Sequence, residues 1–141
     1  RLFPDGHPSG ATDRANLGRL YLARGEAAKA LPVYREAVPL YERSLGAAAW
    51  PSGNARMGMG RALAALERYA EAEAELLVAH RVFTAAQGVP AKHVARCSEE
   101  LAKLYEAWAR VSPGRGYEGR AAEWKAKLPA PSGTGVPAPV R

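Results

Sequence analysis

Only one cysteine, Cys97, occurs in the 141 residues. An internal disulfide framework is therefore excluded, and the lone thiol fits a reducing compartment, so a cytoplasmic setting is expected. Long apolar runs are missing too. The most extended are pieces such as Leu76-Leu77-Val78-Ala79, far short of the about 20 residues that cross a bilayer. No secretory signal is visible. The chain opens Arg1-Leu2-Phe3-Pro4 with no initiating methionine, which we read as the start of a fragment of a longer polypeptide.

Catalytic and cofactor motifs are equally scarce. There is no HExxH and no CxxC. Gly58-Met59-Gly60 begins like a dinucleotide fingerprint, but Leu63 stands where its last glycine is needed, and the stretch falls inside a helical pattern rather than after a strand. Gly114-Arg115-Gly116 lacks the Lys-Ser/Thr that follows in a phosphate loop. His7, His80 and His93 are scattered along the chain, which argues against a shared metal. No cofactor, metal or catalytic residue is assigned, and the fragment is not expected to be an enzyme. Cys97 reads as a small, half-buried hydrophobe in a helix. The carboxylates Glu71, Glu73, Glu75, Glu99 and Glu100 read as solvated helix faces. Trp108 and Trp124 are expected to pack the last helix, and Trp50 to pack in the core or at an edge.

Aromatic residues make up 8% of the chain, whereas alanine, the best helix former, is abundant. Hydrophobic residues at 48% and charged residues at 24% describe an ordinary globular domain. The net charge is +6, carried mostly by arginine. It permits binding to nucleic acid, an anionic membrane or acidic peptides without choosing among them.

The most informative feature is an internal repeat. LGRLYLARGEAAKALPVYREAVPLYERSLG begins at Leu17, and MGRALAALERYAEAEAELLVAHRVFTAAQG begins at Met59, 42 residues on. At that offset Gly18 meets Gly60, Arg19 meets Arg61, Ala30 meets Ala72, Ala37 meets Ala79 and Gly46 meets Gly88. A third, degraded copy starts at Leu101. Each copy divides into a helix A and a helix B. Leu17, Leu20 and Tyr21 mark the apolar face of the first A helix, which Gly25 ends. Ala30, Val33, Tyr34, Ala37, Leu40 and Tyr41 mark the face of the first B helix. Ala72, Leu76, Ala79, Val82 and Phe83 do so for the second. Pro32 is expected in the first turn of its helix, and Pro39 inside it, as a kink. Ser112 to Gly116 interrupts the third copy before a last short helix around Glu118 to Leu128. The tail PAPSGTGVPAPVR is expected to be disordered.

The spacing of Leu17, Gly18, Tyr21, Gly25, Ala30, Tyr34 and Ala37 resembles the tetratricopeptide repeat. The 42-residue period exceeds the usual 34 and, with Leu45-Gly46 and His7-Pro8, resembles the kinesin-light-chain-like subclass. The resemblance implies an all-α fold of helical hairpins stacked as a right-handed solenoid. Residues 1–10 would be a connector or partial repeat. Residues 11–128 would be the repeat domain, with copies over about 11–49, 50–91 and 92–128, and residues 129–141 the tail. The stretch LYEAW…AAEWKAKL also resembles the ends of such arrays behind bacterial eukaryotic-like Ser/Thr protein kinases, which implies a kinase domain upstream.

In this family the A helices line a concave groove that holds the ligand. Correspondence with the family puts Arg19, Arg61 and Lys103 at one groove-facing position in successive copies. Arg96 and Asn54 take a second, Asn16 is a neighbour, and Leu22, Ala64 and Glu106 lie a turn further along. A row of cations favours carboxylates, for which arginine offers a planar fork. The expected function is thus a protein-interaction scaffold holding a partner peptide of acidic character. The alternative is a regulatory or recruiting module of a Ser/Thr kinase. Chaperone binding is not expected, since the Lys/Asn set of the chaperone-tail-binding relatives is incomplete. Nucleic-acid binding ranks below both, because the basic residues are spread rather than clustered.

Overall fold

Helices in this chain start and stop at the repeat interval. The computed structural model describes residues 8–129, and among them it contains six helices and no strand. They are α1 (Pro8–Ala23), α2 (Ala27–Leu45), α3 (Trp50–Ala65), α4 (Tyr69–Ala85), α5 (Ala91–Val111) and α6 (Tyr117–Ala126). The starts of α1 and α3, their ends, and the starts of α2 and α4 all differ by 42 residues. The third copy departs from this rule. Helix α5 runs to Val111, and the Ser112–Gly116 break delays α6, which is only 10 residues long. Helix α1 starts at Pro8, within the stretch expected to be a connector or partial repeat. His7 and the Pro-rich tail from residue 130 onward lie outside the described residues.

The turn inside each hairpin is built from backbone hydrogen bonds. After α1 the Glu26 N–H donates to the Tyr21 carbonyl at 2.8 Å, and the Gly25 N–H to that of Leu22 at 3.0 Å. This pair of hydrogen bonds satisfies carbonyls that the helix end would leave unpaired, and it needs a left-handed residue between helix and turn. Gly25 supplies it with φ +74°. The second hairpin repeats both bonds, Arg68 to Leu63 at 2.9 Å and Glu67 to Ala64 at 3.0 Å. There the left-handed position is filled by Glu67, at φ +61°, where a side chain is sterically unfavourable.

Packing is decided by glycines under large side chains. The Tyr34 ring lies between α1 and α3. A Cβ on Gly18 would come within 2.7 Å of the ring, and one on Gly58 closer still. Gly60 repeats the relation of Gly18 against Leu76, again at 2.7 Å. Around these contacts the core gathers Ala30, Leu31, Ala37 and Tyr41 from α2, Ala62 and Leu63 from α3, Leu76 and Phe83 from α4, and Leu101, Leu104 and Tyr105 from α5. Consecutive helices pack pairwise. In addition α1 touches α3 and α3 touches α5, while α2 and α4 do not approach one another in this way. The array therefore closes toward its A side.

Two sequence expectations need correction. Leu17 and Leu20 do not form the buried face of α1. They are exposed, and burial falls on Ala11 and Gly18, with Ala15 and Leu22 partly covered. Among the described residues α1 packs only against α2 and α3, so the opposite side of the helix stays uncovered. Pro32 is not in the first turn of α2, which begins at Ala27. Both Pro32 and Pro39 are exposed and seven residues apart, on one face. The carbonyls they leave unpaired, those of Ala28 and Arg35, thus lie beside solvent, and α2 continues through both to Leu45.

Two stability predictions follow from these contacts. Gly58→Ala should destabilise the fold by about 1–3 kcal/mol through overpacking, despite alanine's higher helix propensity. The loss should shrink in a Tyr34→Leu background, as read by a urea-unfolding double-mutant cycle. Glu67→Gly should raise stability by about 1 kcal/mol by relieving the left-handed backbone, whereas Gly25→Glu should lower it by a similar amount.

Candidate functional site

Helices α1, α3 and α5 lie side by side on the A side, and their outward faces enclose a chain of depressions. The first, about 300 Å³, is lined by Asn16 and Arg19 of α1, by Tyr34, Tyr41 and Leu45 of α2, and by Asn54 of α3, among others. The second, about 550 Å³, is lined by Arg19, Asn54, Arg61, Lys92, His93 and Arg96 among others. The third, about 490 Å³, carries Leu22, Arg61, Ala64, Lys103, Ala107 and Arg110. Arg19 and Asn54 are shared by the first two, and Arg61 by the last two. All six residues assigned from the sequence, Asn16, Arg19, Asn54, Arg61, Arg96 and Lys103, are thus brought along one surface.

Their charges are not all unopposed. Glu100 is nearly buried and lies 3.4 Å from Arg61 and 3.6 Å from Arg96. Glu99 is 3.0 Å from Lys103. The Arg19 guanidinium donates to the Asn16 side-chain oxygen at 3.1 Å. Glu99 stays on a solvated face, as expected, with its side chain 47% exposed, whereas Glu100 is largely covered and buttresses the cation row. Even so, Arg19, Arg61, Lys92, Arg96, Lys103 and Arg110 outnumber these two carboxylates. Lys92 and Arg110 were missed in the sequence, although Lys92, Arg96, Glu99 and Lys103, and then Lys103, Ala107 and Arg110, follow helical spacing along α5. Glu106 does not join the groove. It lies at the α5–α6 seam, 2.6 Å from Lys125. His93 stacks on Trp50 with ring centroids 5.1 Å apart and on Phe83 at 5.8 Å. Burial, aided by Lys92, lowers its pKa, so the ring adds no charge at neutral pH.

The remaining acidic residues hold the array together. Arg56 of α3 reaches both Glu42 of α2 and, at 2.8 Å, Glu75 of α4. Burial is the largest single influence and opposes its charge, but the hydrogen bonds that Arg56 donates to Glu75 and Glu42, together with the charges of those carboxylates, raise the guanidinium pKa. Glu73 accepts hydrogen bonds from the Tyr105 hydroxyl at 2.5 Å and from Arg120 at 3.1 Å. Glu73 and Glu75 are therefore interhelical links rather than solvated charges. Trp108 stacks on Tyr117 at 4.0 Å, and Trp124 meets His80 of α4 edge-on at 4.8 Å, so α6 packs across α5 onto α4.

A fold of glycine-notched helical hairpins with an A-side groove defines a repeat module of protein–protein interaction. Residues 14–48, which span nearly all of the first hairpin, match the family model of the tetratricopeptide repeat. The first hairpin is thus similar to a tetratricopeptide repeat, and the second hairpin renews it at the same spacing. None of the curated proteins matches it. No helix among the described residues is long and apolar enough to cross a membrane.

Cys97 is fully buried, not half-buried, with its sulfur 3.4 Å from the Leu76 carbonyl oxygen. Burial, reinforced by Glu100, pushes the thiol pKa up to about 12. Because the folded value is raised, the thiol's contribution to stability is complete at neutral pH. It is lost as pH climbs from the ordinary thiol range, about 8.5, toward the folded value. Native protein should react slowly with iodoacetamide at mildly alkaline pH, and denatured protein fast, as read by mass spectrometry.

Proposed function

We propose that the chain captures an acidic peptide segment of a partner protein, laid across α1, α3 and α5. The observation that carries this reading is the row of Arg19, Arg61, Lys92, Arg96, Lys103 and Arg110 along linked depressions, with two asparagines, Asn16 and Asn54, between them. Arginine forks suit carboxylates in bidentate pairs, and asparagine amides can bond an extended peptide backbone. Arg61 and Arg96, already lined up by Glu100, need little reordering to accept a ligand carboxylate, although Glu100 competes for them. His93 beside Trp50 offers an apolar shelf at the groove wall.

A compatible second reading rests on Leu104–Trp108 and Ala121–Leu128, which resemble the ends of repeat arrays behind Ser/Thr kinases. Under it, the groove recruits partners or substrates to such an enzyme in the cytoplasm. Sequencing the coding region upstream of Arg1 decides it: a kinase domain supports this setting, and further repeats alone remove it.

The groove reading is tested by fluorescence anisotropy with an extended Glu-rich peptide. Arg19→Ala, Arg61→Ala and Lys103→Ala together should abolish binding while circular dichroism stays unchanged. Glu100→Gln should tighten it, because it frees Arg61 and Arg96. Affinity that is indifferent to both changes, or equal affinity for a single-stranded nucleic acid of the same length, contradicts the proposal.

A further inference from the structure

The exposed leucines of α1 stand at positions that the repeat buries elsewhere. Leu17 is 39% exposed and Leu20 54%. Their equivalents 42 and 84 residues on are Met59 and Leu101, and Ala62 and Leu104, all buried. In those copies the helix before covers the face: α2 packs on α3, and α4 on α5. The same face of α1 has no such cover among the described residues.

What distinguishes this face is its charge. Residues 13, 17 and 20 share one side of α1, and Arg24, in the turn just after Ala23 with its N–H donated to the Leu20 carbonyl at 3.1 Å, extends the four, three, four spacing along that side. In the second copy this stripe reads Ala55, Met59, Ala62, Leu66, and in the third Cys97, Leu101, Leu104, Trp108, apolar throughout. In the first it reads Asp13, Leu17, Leu20, Arg24. Asp13 is exposed, and Arg24, although 3.1 Å from Glu26, keeps a side chain that is 62% exposed. The internal stripes have no place for charges at their ends. The first stripe has opposite charges, each four residues outside a leucine.

That order is self-complementary. When two such helices meet antiparallel across a twofold axis midway between the leucines, Leu17 of one copy faces Leu20 of the other. Asp13 of each then faces Arg24 of the other, at both ends. We infer that α1 is a homodimerisation surface, and that its partner is the α1 of a second copy of this chain. The contact is isologous, so it closes at two copies. It uses the side of α1 away from the core, while Arg19 and Asn16 stay on the groove side, so two grooves would be presented by one dimer. A single helix pair buries little area, which places the affinity in the weak, transient class.

Sedimentation velocity on the full 141-residue chain tests this. The mass should rise from the 15.0 kDa monomer toward a dimer as concentration increases from low micromolar to millimolar. Asp13→Arg alone and Arg24→Asp alone should each weaken dimerisation at least tenfold, since each places like charges opposite one another. Asp13→Arg with Arg24→Asp in one chain should restore it. Mixing the two single variants should also yield a heterodimer, because one carries two arginines and the other two aspartates. That recovery cannot come from misfolded chains. A wild type that stays at 15.0 kDa throughout, leaving the leucines to another occupant, overturns the inference. So does a dimer that ignores the single charge reversals, or a mixture that fails to associate.

Discussion

Everything else in this array depends on how closely α1 and α3 can approach the ring of Tyr34. The tyrosine belongs to the B helix of the first hairpin, but it touches both A helices, and it can do so only because Gly18 and Gly58 present no side chain to it. A packed interior has no slack to absorb a methyl group there. The tyrosine therefore does two jobs in one contact. It closes its own hairpin through Gly18, and it joins that hairpin to the next through Gly58. Leu76 meets Gly60 in the same manner in the second hairpin, and Arg56 adds a polar strap from α3 to Glu42 and Glu75.

The groove is a consequence of that geometry. With the A helices in mutual contact and the B helices apart, side chains one position on from the notched glycines, Arg19 beside Gly18 and Arg61 beside Gly60, emerge on the inner surface. The positions of Arg19 and Arg61 therefore recur on one surface because the glycine-notched packing beside them does. Glu99 and Glu100, set by α5 between the arginines, hold the row in place and reduce its charge at once. The surface that results is a row of cations already partly paired with internal carboxylates, not a bare cationic strip.

Most of this was legible in the residues. The 42-residue offset gave the hairpins and their helix boundaries, since one turn chemistry recurs at Gly25 and, under strain, at Glu67. The family resemblance offered the candidate groove residues, and the structure brings them along one surface. What was not legible depends on which side of a helix has a neighbour. Leu17 and Leu20 carry the apolar rhythm of an internal A helix, yet α1 stands first among the described helices and leaves them exposed. Glu73, Glu75 and Glu100 look like surface charges along their own helices, and only the position of the next helix turns them into links. Glu106 left the groove because α5 runs longer than α1 and α3, and α6 folds back over its end.

The central claim is that ligand contact belongs to the faces of α1, α3 and α5. Amide chemical-shift mapping by nuclear magnetic resonance during titration with a Glu-rich peptide tests it most directly. The account predicts that the largest perturbations cluster at Arg19, Asn54, Arg61 and Arg96, with Arg35 and Arg81 on the outer B helices silent. Perturbations centred on Arg35 and Arg81 instead would contradict it.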